Sequence, residues 1–186
     1  MSSDGERRAF LTKAFARLGI VAVFSAFAFL STTFIRIPVP VSGGYFNIGD
    51  AFVMAGAVLF GPIVGGFVGL IGPTLSDAIG YPQFIPATAT IKLTEGLVVG
   101  LIGFSVSGVS APRCITSLAV GGIVIVAGYF VFEAYLYPML AHISPFFDAT
   151  NMGMALGEII PNIFQAVISA LLAFGMWKIL RGASVR

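Results

Sequence analysis

The stretch AFARLGIVAVFSAFAFLSTTF, residues 14–34, decides the class of fold. Apart from Arg17 near its start it carries no charge. It is long enough for a helix rising 1.5 Å per residue to cross the ~30 Å hydrocarbon core of a bilayer. The rest of the chain has the same character. Of 186 residues, 58% are apolar and 10% charged. Soluble domains run at ~45–50% and ~25%, so a polar coat for a soluble globule cannot be assembled here. That excludes an ordinary cytosolic enzyme and a disordered chain. A net charge of +2, scattered along the chain, excludes a phosphate-tracking nucleic-acid groove. The single cysteine, Cys114, excludes a disulfide framework and a multi-cysteine metal site. The 23 glycines and 18 phenylalanines suit close-packed membrane helices with a bulky exterior. The expectation is an all-α integral membrane protein, one membrane domain over residues 1–186.

Working outward, the hydropathy pattern predicts six transmembrane helices over 14–34, 48–60, 62–79, 88–106, 115–137 and 152–180. Short tails, 1–13 and 181–186, complete the chain. Gly61-Pro62 breaks the second span from the third, and Gly80-Tyr81-Pro82 with Pro86 marks a loop. No alternating pattern appears that would suit a β-barrel. An even number of spans places both termini on one side. That side holds Arg7, Arg8, Lys13, Arg17, Arg113, Lys178, Arg181 and Arg186, against Arg36 on the other and Lys92 within or near the fourth span. The positive-inside rule then makes both termini cytoplasmic. Arg7-Arg8 resembles a twin-arginine export signal, but five more apolar spans follow instead of an exported soluble domain, so it reads as the positive flank of the first helix.

A charge in the hydrocarbon costs ~2.5–3.5 kcal/mol even on lenient insertion scales, so polar residues within spans should face protein or a wet cavity. Glu158, Asn162, Gln165 and Ser169 fall at i, i+4, i+7 and i+11, one stripe of the sixth helix, with Pro161 in the same stretch. Tyr129, Glu133 and Tyr137 share a face of the fifth. Lys92 and Glu95 are i, i+3 neighbours and can pair. Asn47 and Asp50 stand at the outer end of the second helix, Asp77 and Tyr81 at that of the third. Polar groups from several helices thus meet at one outer level. Interhelical polar glue accounts for single residues; an outward-facing pocket for a small polar molecule, walled by Tyr and Phe, accounts for the set. Gly61, Gly65, Gly69 and Gly72, and Gly96, Gly100 and Gly103, form small faces for close helix packing.

The chemistry is narrowed by what is missing. No G-x-x-x-x-G-K-[ST] loop occurs, so the chain lacks that machinery for using ATP. Neither H-E-x-x-H nor G-x-S-x-G is present, and the one histidine, His142, sits in a loop before Pro145. Catalysis, a metal and a cofactor are therefore not expected.

Several motifs occur in order: Gly44-Tyr45-Phe46-Asn47-Ile48-Gly49-Asp50-Ala51, then Leu59-Phe60-Gly61-Pro62, Ser76-Asp77 and Gly80-Tyr81-Pro82. They continue with Ile91-Lys92-Leu93-Thr94-Glu95-Gly96, Gly128-Tyr129-Phe130-Val131-Phe132-Glu133 and Glu158-Ile159-Ile160-Pro161-Asn162-Ile163-Phe164-Gln165. From about Arg17 to the C-terminus this series resembles the substrate-binding S components of energy-coupling factor (ECF) vitamin transporters, in the riboflavin-type branch that includes proposed pyridoxine and hydroxymethylpyrimidine carriers. The resemblance implies a six-helix subunit of a prokaryotic plasma membrane that captures a vitamin outside. It also implies a transmembrane coupling (T) subunit and two cytoplasmic ATPase subunits as partners. The subunit would topple in the membrane to release its ligand. It further implies that Ala22 and Ala26 of the first helix dock against the coupling subunit, and that residues 36–45, with Pro38, Pro40, Gly43 and Gly44, gate the pocket. The substrate-binding set expected is Tyr45, Asn47, Asp50, Tyr81, Lys92, Glu95, Glu133, Tyr137, Glu158, Asn162 and Gln165. Acids outnumber Lys92 in that set, which favours a ligand rich in hydrogen-bond donors or positively charged, such as a pyridine or aminopyrimidine. A stand-alone carrier coupled to protons through Glu133 or Glu158 is the alternative, disfavoured because inverted repeats are not visible; a small lipid-modifying enzyme lacks a nucleophile and an acid–base pair.

Overall fold

At Gly61 the backbone takes φ +98°, a conformation open to glycine, and the chain passes from α2 (Asp50–Phe60) into α3 (Pro62–Gly80) without a loop. Pro62 follows as the first residue of α3, where its missing N–H is no loss. This break fixes α2 at 11 residues, about 16 Å long at 1.5 Å per residue, half the depth of a bilayer core. The computed structural model describes residues 3–40, 44–147 and 150–183. Gly43 of the expected gate and Arg186 of the basic side lie outside the described residues.

Around α2 run α1 (Ser3–Phe34), α4 (Ile85–Gly103), α5 (Ala111–Val131) and α7 (Met152–Ala183). A π-helical turn, Phe132–Leu136, joins α5 to the short α6 (Tyr137–Ala141). Among the described residues, five helical stretches are long and apolar enough to cross a membrane, and α2 is the sixth, shorter one. The fold is all-α, as the sequence implies. The boundaries shift for a common reason: Pro86, which reads as a loop residue, and Pro112, which lies before the expected fifth span, sit in the first turns of α4 and α5. The segment expected as an N-terminal tail is helical from Ser3.

One small sheet breaks the helical pattern. β1 (Ile37–Val39) pairs antiparallel with β2 (Gly44–Phe46), with Pro38 opposite Tyr45. These two strands lie at the 36–45 segment, at the end of the bundle where α1 and α3 finish. At the opposite end, Arg113 donates to the carbonyls of Ile102 (2.6 Å) and Phe104 (3.3 Å), and Arg181 donates to that of Val109 (2.5 Å). These bonds satisfy backbone oxygens near the ends of α4 and the 104–110 loop. The basic residues of both chain ends gather at this pole, which is the cytoplasmic one. Phe15, Phe27, Leu75, Ile123 and Leu171 are exposed around the girth, as lipid requires.

Lipid tails are as apolar as the helices, so packing has to come from shape. The seam of α3 and α4 shows it. A Cβ on Gly96 would lie 2.2 Å from the Gly65 carbonyl oxygen, and one on Gly69 would lie 2.1 Å from that of Lys92. Both contacts are against backbone, which cannot swing aside. Gly96→Ala and Gly69→Ala therefore force α3 and α4 apart and cost ~1–3 kcal/mol, the range for overpacking. Gly19→Ala, with no atom within 4 Å of the new Cβ, changes nothing comparable. Thermal unfolding in detergent, followed by a thiol-reactive dye on the buried Cys114, checks both statements.

Candidate ligand-binding site

Because α2 begins half-way through the bundle, the space beyond its N-terminus is filled by polar side chains from α3, α4, α5 and α7 and roofed by β2. The polar groups form two tiers. The deeper one is centred on the Lys92 ammonium, which is 1% exposed. Its Nζ lies 2.7 Å from Asp50 Oδ2 and 3.3 Å from Glu95 Oε2, joining α4 to α2. Gln165 of α7 donates Nε2 to the same Asp50 oxygen at 2.8 Å. Gln165 Oε1 accepts from the Asn47 backbone N–H at 3.0 Å and its side-chain amide at 3.2 Å. Asn47 Oδ1 in turn accepts from the Gly49 N–H at 2.8 Å and the Thr32 hydroxyl at 3.3 Å. The N-terminus of α2, which has no side-chain cap, thus places Asp50 in its first turn where the helix dipole favours an anion. Lys92 also lies 5.3 Å from the centroid of the Tyr129 ring.

The upper tier is a tight cavity of about 20 Å³, with room for a water-sized guest as it stands. Gly44, Tyr45 and Asn47 line it from the hairpin side, Asp77 from α3, and Phe84 and Thr88 from the start of α4. Tyr129 and Glu133 line it from α5 and the π turn, and Glu158, Asn162 and Gln165 from α7. Tyr45 donates its hydroxyl to Asp77 Oδ1, and the Thr88 and Tyr129 hydroxyls share a hydrogen bond of 3.1 Å. Among the described residues, Asp77 Oδ2 and both oxygens of Glu133 are buried without a hydrogen-bond partner. Unpaired buried acceptors cost free energy. Here they leave acceptors on the wall for the donors of a guest.

Six of the eleven residues expected from sequence stand on the cavity wall: Tyr45, Asn47, Glu133, Glu158, Asn162 and Gln165. Asp50, Lys92 and Glu95 lie beneath it in the ionic tier. Tyr81 and Tyr137 lie beside it. Tyr137 packs against Phe84, Phe132 and Phe147, and donates to the Gln83 carbonyl at 2.8 Å. Glu133 and Tyr137 part company because the π turn adds a residue to the ladder and rotates everything after it. The cavity also takes Gly44, Asp77, Phe84, Thr88 and Tyr129, which the expected set omits. Asp77 and Tyr129 already share the outer level in the sequence. Phe84 and Thr88 carry no such signal, since they flank a proline that reads as a loop. Gly44 is there for closeness: a Cβ on it would lie 2.1 Å from Glu158 Oε1. Ala22 and Ala26 are exposed on the outer face of α1.

Residues 13–181 match the family model of the ECF-type riboflavin transporter, S component. An uncharacterized protein of Pyrococcus woesei, named for the gap 3' region, is 40% identical over 152 residues, covering 82% of this chain and 93% of that one. A UPF0397 protein of an Exiguobacterium strain is 33% identical over 131 residues, 68% of this chain and 70% of its own. Among solved structures, the S component of a bacterial ECF transporter superposes with a TM-score of 0.67 at 20% identity, over 93% of this chain and 99% of that one. That likeness is one of fold.

The ionic tier generates a test of its own. Removing one partner of a buried ion pair strands the other and costs ~3–5 kcal/mol. Lys92→Met leaves Asp50 and Glu95 facing each other and lowers the unfolding temperature sharply. Adding Asp50→Asn and Glu95→Gln removes both stranded charges and recovers most of the loss. Melting curves of the single and triple variants, read at Cys114, decide it.

Proposed function

Because this chain belongs to the family of ECF-type riboflavin transporter S components, the substrate-binding subunits of multi-pass importers in the prokaryotic plasma membrane, we propose that it captures a vitamin or vitamin precursor in the cavity beneath the hairpin. Uptake is then driven by ATP through partners, a transmembrane coupling subunit and two cytoplasmic ATPases. The observation that carries this reading is the cavity's composition. Three aromatic rings (Tyr45, Phe84, Tyr129) stand with three carboxyl groups (Asp77, Glu133, Glu158), and the lining holds no Lys or Arg.

Such a wall suits a flat ring that stacks on aromatics and presents N–H or O–H donors at its edge. A phosphate ester finds no cation there. At about 20 Å³ the cavity is far smaller than ligand sites, which run from ~300 to ~1,000 Å³, so a guest has to part its walls. A single-ring compound of the pyridoxine or hydroxymethylpyrimidine kind therefore requires less displacement of these walls than the three fused rings of riboflavin. The ionic tier below supports the walls: Gln165 touches both Asp50 and the cavity, so its amide is held in one orientation. On the outside, Ala22 and Ala26 leave α1 with a small-residue face on which a helix of the coupling subunit can lie closely.

Mass spectrometry of small molecules released from the detergent-purified protein tests the reading. A single-ring donor-rich compound is expected in stoichiometric amount from the wild type, and none from the Glu133→Gln/Asn162→Ala variant. Blank release followed by a blank titration against a panel of vitamins and precursors overturns it. Separately, Ala22→Leu/Ala26→Leu is expected to abolish uptake in cells supplying the partner subunits while ligand binding to the purified protein stays within about twofold. Loss of binding as well would remove this face from the partner interface.

A further inference from the structure

On the lipid side, α5 and α7 do not close against each other. They meet through small residues, where a Cβ on Gly122 would lie 3.2 Å from that of Ala166, and larger side chains stand to either side. Ile115 and Ile123 on α5, with Ile163 and Leu171 on α7, are exposed and wall a trough of about 840 Å³. That volume falls among ligand sites of ~300–1,000 Å³, and every side chain lining it is apolar. From Ile159 to Phe174 the trough rises about 22 Å along α7, more than the ~15 Å of hydrocarbon in one leaflet. At its cytoplasmic end the chemistry changes. Phe174, Lys178 and Arg181 fall at i, i+4 and i+7, so the stripe of α7 that lines the trough runs on into two cations. The Arg181 guanidinium carbon lies 5.4 Å from the centroid of the Trp177 ring, which packs at 5.3 Å on Phe174. Its Nη1 donates to the Val109 carbonyl just ahead of α5, which closes the trough below. Lys178 is exposed and has no ion-pair or hydrogen-bond partner among the described residues.

We propose that this trough binds one anionic phospholipid of the inner leaflet: an acyl chain lies between α5 and α7, and the headgroup phosphate sits on Lys178 and Arg181. The two parts of the site do different things. Lipid tails are as apolar as the walls, so the trough alone holds a chain by its shape and cannot choose among lipids. The choice is made at the charged end, where phosphate oxygens accept charge-assisted hydrogen bonds from an ammonium and a guanidinium. Arg181 spends one donor on Val109 and keeps others for an anion. No acid opposes it: the one acidic residue of α7 is Glu158, at the far end of the helix. The cations also stand on the cytoplasmic side, where anionic lipids concentrate and basic sites between helices meet their headgroups. A protein helix laid in the trough would leave both cations without a counter-charge unless it carried acids at their level.

The inference is independent of the ligand in the polar cavity, and its test uses the full chain in lipid vesicles. Trp177 is the one tryptophan and stands at the charged end of the trough, so its fluorescence reports which acyl chains lie there. The protein is reconstituted in phosphatidylcholine carrying the same minor fraction of either phosphatidylglycerol or phosphatidylcholine brominated on its acyl chains. Brominated phosphatidylglycerol is expected to quench Trp177 about twofold more than brominated phosphatidylcholine, or better. Lys178→Gln, a change at an exposed and unpartnered side chain, is expected to lower that ratio part of the way. Lys178→Gln/Arg181→Gln is expected to bring it to about one. Ala119→Phe, at an exposed position on the trough wall, fills the trough and is expected to abolish the preference with both cations in place. Equal quenching by the two lipids in the parent chain overturns the site, because the trough then holds whatever lipid surrounds it. Quenching by neither overturns it too, since a protein segment then covers this face. A preference that survives Ala119→Phe overturns the seat of the acyl chain and leaves only attraction of headgroups to the basic pole.

Discussion

The interaction on which the rest depends is the Lys92–Asp50 ion pair, closed at 2.7 Å with both side chains buried. A helix that starts within the depth of a membrane presents several backbone N–H groups with no partner, and hydrocarbon offers none. Here α2 starts that way. Asp50 brings a negative charge to its positive end, Asn47 turns back to hold the Gly49 N–H, and Lys92 neutralises the carboxylate from the neighbouring helix. Without that pairing the start of the short helix would carry an unneutralised Asp50 charge in the interior. The cavity exists because the ion pair makes a half-length helix tolerable.

The two tiers divide the work. The lower one is held in fixed geometry by the Lys92 ion pairs and by hydrogen bonds that run from α2 and α4 through Gln165 to Asn47, just after β2, although Asp50 Oδ1 and both Glu95 oxygens have no hydrogen-bond partner among the described residues. The upper one is left incomplete, with carboxyl oxygens of Asp77 and Glu133 unmatched. A site that binds a polar guest in a dry interior needs both properties. Fixed acceptors avoid the ordering cost of a flexible site. Unmatched acceptors are strengthened by surroundings of low dielectric only when a donor arrives.

Much of this was legible in the sequence, for reasons that residue spacing can carry. The six apolar stretches follow from helix rise and bilayer thickness, and the glycine faces of α3 and α4 follow from the 3.6 period. The pairing of Lys92 with Glu95 is local, so it could be read. Its shorter contact, to Asp50, joins residues 42 apart and depends on how α2 packs against α4, which no periodicity states. The π turn at Phe132–Leu136 has no sequence signature, so Tyr137 looked like a neighbour of Glu133 and is instead part of the aromatic cluster beside the cavity. The hairpin was hidden by its own length: three-residue strands with Pro38 in one of them give neither alternation nor a β run. Prolines that punctuate the chain as loops turned out to open α4 and α5, because the first turn of a helix needs no donor from them.

The separation of tiers also bears on how one fold can serve several ligands. Changing a residue of the ionic tier strands a charge in the interior, so that tier is constrained by stability whatever the guest. The residues above it face the cavity beneath β2. Thr88, Asn162 and Glu133 can exchange donors for acceptors while the helix seams, the Lys92 pair and the roof stay as they are. Their side chains reach the cavity from three different helices, so each can be altered without disturbing the backbone bonds of another. Ligand choice in this architecture is therefore partly decoupled from folding by geometry: Asp50, Lys92 and Glu95 lie beneath the cavity, while only Asn47 and Gln165 belong to both tiers among the described residues. Stability constrains the first set, and the second is read from the cavity wall, where the aromatic rings and carboxyl groups of this chain favour a small, donor-bearing ring.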